Sequence, residues 1–84
     1  MRSFELTLTG NEGLHARPAA ELARIASTQG VAVTIGRLGQ PGVAAGSILG
    51  LLSLGLRSGE RVLLTVDGAT EDSVAQQISE LLGK

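Results

Sequence analysis

An 84-residue chain has room for one small domain with a single core, and a hydrophobic share of 43% is that of a folded globule rather than a disordered chain. A formal charge of −1, seven scattered basic residues and no Trp or Tyr leave neither a basic stripe nor a stacking platform, which argues against a nucleic-acid partner. No disulfide can form without cysteine, no apolar run approaches the roughly 20 residues of a membrane span, and no leader pattern opens the chain, so a cytoplasmic protein without membrane insertion is expected.

Phe4, Leu6 and Leu8 alternate with Ser3, Glu5, Thr7 and Thr9, which predicts a first strand with one buried face. Phe4 is the single aromatic, so the interior has to be mostly Leu, Ile, Val and Ala. After the polar turn Gly10-Asn11-Glu12-Gly13, Ala19, Leu22, Ala23 and Ala26 share one helical face, giving a helix from about Ala16 to Thr28 with Gly30 at its exit. Val31, Val33 and Ile35 form the second strand. Leu38 to Gly42 reads as a turn into a short third strand near Val43, and Pro41 places that strand at a sheet edge.

Ser47 is a good N-cap for a short apolar helix of about two turns ending before Gly55. The turn Arg57-Ser58-Gly59-Glu60 leads to a fourth strand, in which Val62, Leu64 and Val66 alternate with Leu63 and Thr65. Thr70 is placed to cap a last helix. Glu71 and Asp72 suit its first turn, and Val74, Ile78, Leu81 and Leu82 form its apolar stripe. The order β-α-β-β-α-β-α predicts an α+β domain, with three helices layered on one face of a mostly antiparallel sheet.

The only histidine, His15, lies where the first turn meets the first helix. Pro18 is tolerated only in a helix's first turn, so it sets His15 at or beside the N-cap, near the free amides of Ala16 and Arg17. A helix N-terminus favours an anion, and the Arg17 guanidinium suits phosphate oxygens. An imidazole is substantially neutral near pH 7 and so offers a nucleophilic nitrogen, and phosphoryl transfer asks mainly for positioning and charge stabilisation. Taken on spacing alone, a histidine at a helix start is more often a cap or a surface residue. Metal binding is a weaker reading, since one His with no Cys cannot assemble a usual zinc set without several carboxylates and none cluster near position 15, and no cofactor is implied.

Gly13-Leu14-His15-Ala16-Arg17-Pro18-Ala19 and Ser47-Ile48-Leu49-Gly50-Leu51-Leu52-Ser53-Leu54-Gly55 resemble the two signatures of HPr, the histidine-containing phosphocarrier family of the bacterial sugar phosphotransferase system. The resemblance covers essentially the whole chain as one domain. It implies a monomeric open-faced β-sandwich with a four-stranded antiparallel sheet in the order 1-4-2-3. By the same resemblance, enzyme I phosphorylates His15, drawing indirectly on phosphoenolpyruvate, and enzyme IIA domains receive the group. Arg17 would stabilise the phosphate charge and the Ala16 N–H would bond it. Ala20, Arg24, Leu49 and Leu52 would dock partners, while Ile48 and Leu51 would point inward; the residue pattern alone is equally compatible with all four apolar residues of this helix being core.

Ser47 matches a position phosphorylated in some relatives by HPr kinase/phosphorylase, which implies a regulatory role with a transcriptional regulator as further partner. Gly46 and the turn Gln40-Pro41-Gly42 depart from the basic residues common around that site, and an ordinary N-cap explains Ser47 equally well. An alternative keeps the chemistry in a nitrogen or dihydroxyacetone relay, or in a module that regulates by docking. An autonomous enzyme is disfavoured, because no general acid or substrate loop accompanies His15.

Overall fold

A computed structural model describes residues 1–9 and 16–83, so Gly10 through His15, together with Lys84, lie outside the described residues. Seven elements follow in the expected order: β1 (Arg2–Thr7), α1 (Ala16–Thr28), β2 (Ala32–Arg37), β3 (Val43–Ala44), α2 (Ile48–Ser53), β4 (Arg61–Asp67) and α3 (Glu71–Leu82). They build a four-stranded antiparallel sheet ordered β1-β4-β2-β3. The central strand β4 sets Leu64 opposite Phe4 of β1 and opposite Ile35 of β2. The two-residue β3 is an edge, as Pro41 just before it requires.

Period-two patterning sorts the strands into two faces. Leu6, Val33, Ile35, Val62, Leu64 and Val66 turn inward, where Ala19, Leu22, Ile25 and Ala26 of α1 and Val74, Ile78 and Leu82 of α3 complete one apolar cluster. The opposite face carries polar pairs such as Arg61 with Glu5 and Ser3 with Thr65. Among the described residues no polar or charged side chain is buried, so aliphatic packing does the work of cohesion. Helix α1 has the predicted bounds, and Gly30 beyond it takes a left-handed φ of 66° that side chains with a Cβ adopt at a cost.

Three expectations need correction. Phe4 is only half-buried, because edge strand β1 and helix α3 leave an open groove there, lined by Arg2, Phe4, Asp72, Ala75, Gln76 and Ser79. Ile48 is 42% exposed rather than turned inward; α2 has six residues and buries only Leu51, so its first residue sits at the rim of the core. Thr70 holds the N-cap position of α3 without a side-chain capping bond, and the Glu71 carboxylate instead accepts the Gly68 N–H at 3.4 Å.

An ion pair fastens the far end of β2. Arg37 donates to both oxygens of Glu60, through Nε at 2.8 Å and Nη2 at 3.2 Å. The same guanidinium reaches the Leu54 carbonyl at 2.8 Å and the Gly55 carbonyl at 3.2 Å. The Arg37 hydrogen bond, then the Arg57 backbone N–H, holds the Glu60 carboxyl below the usual value of 4.5. A carboxyl depressed on folding contributes stability above its unfolded pKa and loses it as pH falls through the folded one. Glu60→Gln is therefore expected to lower the urea midpoint at pH 7, with the gap to wild type closing below about pH 4. Urea titrations at pH 7 and pH 3 check this, and an equal gap at both would contradict it.

Candidate functional site

Helix α1 opens at Ala16, the residue that follows His15 in the sequence. Ala16 and Arg17 are both exposed, and Pro18, in the same first turn, is half-buried. This is the place where a proline fits, because the amide it lacks has no carbonyl to meet inside the helix. The amides of residues 16 and 17 fall among the first four of the helix, whose N–H groups have no intrahelical acceptor. No acidic side chain occupies that first turn, so no carboxylate there offsets the positive end of the helix dipole. The expectations for His15 and for the turn Gly10 to Gly13 lie outside the described residues.

The second motif forms α2. Ser47 caps it, its Oγ accepting the Gly50 N–H at 3.1 Å while Leu51 N–H donates to the Ser47 carbonyl at 3.0 Å. Leu51 is fully buried, whereas Leu49 is 82% and Leu52 37% exposed. With Ile48, these make an apolar surface on a helix that packs against α1. Ala20 and Arg24 lie exposed on α1. Arg24 is not a lone cation: its Nη2 donates to Glu21 at 3.0 Å, an exposed pair that raises the arginine's pKa and lowers the glutamate's. Reading Arg24 from its charge alone missed this partner, although the three-residue spacing within a helix signals it.

Among the described residues no group of three or more His, Cys, Asp or Glu side chains is placed to hold a metal ion, and no helix is long and apolar enough to cross a membrane.

The family described as "PTS HPr component phosphorylation site" matches residues 2–84. The chain belongs to the HPr family. Phosphocarrier protein HPr of Streptomyces coelicolor is 37% identical over 73 residues, which is 87% of this chain and 78% of that protein. Phosphocarrier protein HPr of Xylella fastidiosa is 36% identical over 81 residues, covering 96% of this chain and 90% of its own. The crystal structure of HPr-C-His from Thermoanaerobacter tengcongensis superposes with a TM-score of 0.87 at 30% identity, over 98% of this chain and 91% of that one. The open-faced sandwich with sheet order 1-4-2-3 is thus the HPr fold, and the phosphotransferase system is the setting of the family.

Proposed function

We propose that this HPr-family chain is a phosphocarrier that accepts a phosphoryl group on His15 from enzyme I and passes it to enzyme IIA domains. The observation that carries the reading is α1 opening at the residue after His15, with an exposed Arg17 in its first turn, inside a chain that matches the family's phosphorylation-site description from end to end. An imidazole nitrogen attacks phosphorus with its lone pair. A P–N bond forms while the bond to the donor breaks, its electron pair leaving with the donor. The amides of Ala16 and Arg17 and the Arg17 guanidinium stabilise the charge on the transferring oxygens. Delivery repeats the exchange in reverse, with an acceptor nucleophile displacing the imidazole.

Leu49 and Leu52, exposed beside α1, would supply an apolar contact for partners that must dock and leave within a catalytic cycle. Because Arg24 is paired with Glu21, its contribution to encounter with an acidic partner is smaller than a free guanidinium would give. Ser47 acts as a cap with its hydroxyl engaged by Gly50.

Incubation with enzyme I and phosphoenolpyruvate tests the reading: an acid-labile phosphate on His15 is the expected product, and a folded protein that takes no label refutes it. Arg17→Ala is expected to slow transfer in both directions by roughly 10–100-fold, less than the ~10²–10³-fold loss of a water-excluded donor because Arg17 is exposed. Rapid-quench measurement of forward and reverse rates checks this, and rates equal to wild type would show that the guanidinium is not used in the transition state.

A further inference from the structure

We propose that Arg37 is a positioning residue for phosphoryl transfer, fixing the exit of α2 relative to the strand end that leads into the His15 segment; the inference rests on the phosphocarrier reading above. Arg37 stands at the end of β2, and its planar fork is divided between two tasks. One edge grips the Glu60 carboxylate through Nε and Nη2. The remaining N–H groups reach the Leu54 and Gly55 carbonyls, which lie at the C-terminal end of α2 where helix carbonyls lack intrahelical donors.

Both sides of this clamp lead toward the transfer site. Helix α2 is six residues long and buries only Leu51, so apolar packing alone fixes its tilt poorly, yet it carries Leu49 and Leu52 outward. On the other side, the Glu60 carboxylate accepts the Arg57 N–H and thereby closes the turn 57–60. That turn is bonded to the end of the first strand: Leu8 N–H donates to the Glu60 carbonyl at 2.9 Å, and Gly59 N–H donates to the Leu8 carbonyl at 2.8 Å. Gly59 adopts a φ of 90°, which lets the turn present both bonding groups to Leu8. Thr9 follows, and then the segment that ends in His15.

One side chain therefore sets the relation between the docking helix and the strand that precedes the His15 segment in the sequence. Lysine keeps the charge but lacks the planar fork, so it cannot hold a carboxylate and two carbonyl directions at once. Displacing either part leaves the phosphohistidine chemistry intact while spoiling the surface that partners meet. The expected signature is thus in KM rather than kcat.

The experiment uses Arg37→Gln, Arg37→Lys and Glu60→Gln, each shown to be folded by its amide NMR spectrum at the assay temperature. Arg2→Gln, which breaks an exposed pair with Asp72 elsewhere on the molecule, serves as control. Steady-state transfer from enzyme I and phosphoenolpyruvate should give a KM for both Arg37 variants about tenfold above wild type, with kcat changed less than about twofold. Arg37→Lys should fail to rescue, Glu60→Gln should fall between, and amide shifts in the Arg37→Lys spectrum should move at both Leu8 and residues 49–55. A KM equal to wild type in the folded variants, or full rescue by lysine, overturns the positioning role while leaving the phosphocarrier reading standing. A wild-type protein that takes no phosphate from enzyme I overturns both.

Discussion

His15→Ala is expected to abolish acid-labile phosphorylation completely while leaving the fold in place. The chain has one histidine and no cysteine, so no other side chain offers a neutral, polarisable nucleophile near pH 7. Serine and threonine hydroxyls are abundant but form acid-stable esters, which separates any phosphate at Ser47 from one on the imidazole by chemistry alone. The helix that begins at Ala16 keeps its buried face of Ala19, Leu22, Ala23, Ile25 and Ala26 in the variant. A lost N-terminal side chain costs about 1 kcal/mol at most positions of this kind, so the urea midpoint should move little. Phosphorylation by enzyme I followed by acid treatment and intact-mass measurement decides the matter. Acid-labile label persisting in the variant would place the nucleophile elsewhere.

Most of the scaffold around that histidine was legible from residue pattern. The period of two in β1, β2 and β4 gave their inward faces, Pro41 marked the edge, and the Ala and Leu spacing of α1 gave bounds that the structure reproduces. Periodicity failed where an element is too short to average over. In α2 the residue pattern did not separate inward from outward positions, and the resemblance put both Ile48 and Leu51 inside; a helix of six residues touches the core through one turn only, and Ile48 stays at the rim. At Thr70 the residue type was that of a cap and the position was right, yet the neighbouring Glu71 supplied the hydrogen bond to the entering chain. Phe4 has the phase of a core residue but lies on an edge strand with partial cover.

The clamp of Arg37 and Glu60 lay beyond pattern altogether. Its members are 23 residues apart, and two of its acceptors are backbone carbonyls, which no side-chain periodicity marks. Strand order brings them together: β2 lies beside β4, so the end of the first meets the start of the second, with α2 leaving the sheet edge next to both. For the site itself, two motifs separated by some thirty residues of sequence carried the resemblance, while the pairing of Arg24 with Glu21 depended on rotamers that the motifs do not specify.

The largest expected loss of stability comes from Leu64→Ala. Leu64 is fully buried at the middle of β4, flanked by Val62 and Val66 on the same face and paired across to both neighbouring strands. Truncation removes three carbons from the layer where sheet meets helices, and the surrounding strands, hydrogen-bonded on either side, cannot collapse far into the gap. Such replacements cost about 2–5 kcal/mol. A domain of this size has only about 3–5 kcal/mol in hand, so the variant should sit close to its unfolding midpoint at room temperature. At about 4–8 °C per kcal/mol, the melting temperature should fall by roughly 8–40 °C. Leu63→Ala provides the contrast: the neighbouring residue points to the open face and is 38% exposed, so its loss should cost less than about 1 kcal/mol. Thermal and urea unfolding of the two variants, followed by circular dichroism, distinguishes them, and equal shifts would contradict the assignment of faces. Because no polar side chain is buried among the described residues and the one aromatic ring, Phe4, packs only at the edge of the core, β4 is the strand on which the layer arrangement mainly rests. Its loss should therefore remove phosphoryl acceptance by unfolding, with the residual activity of Leu64→Ala tracking its folded fraction as temperature is raised.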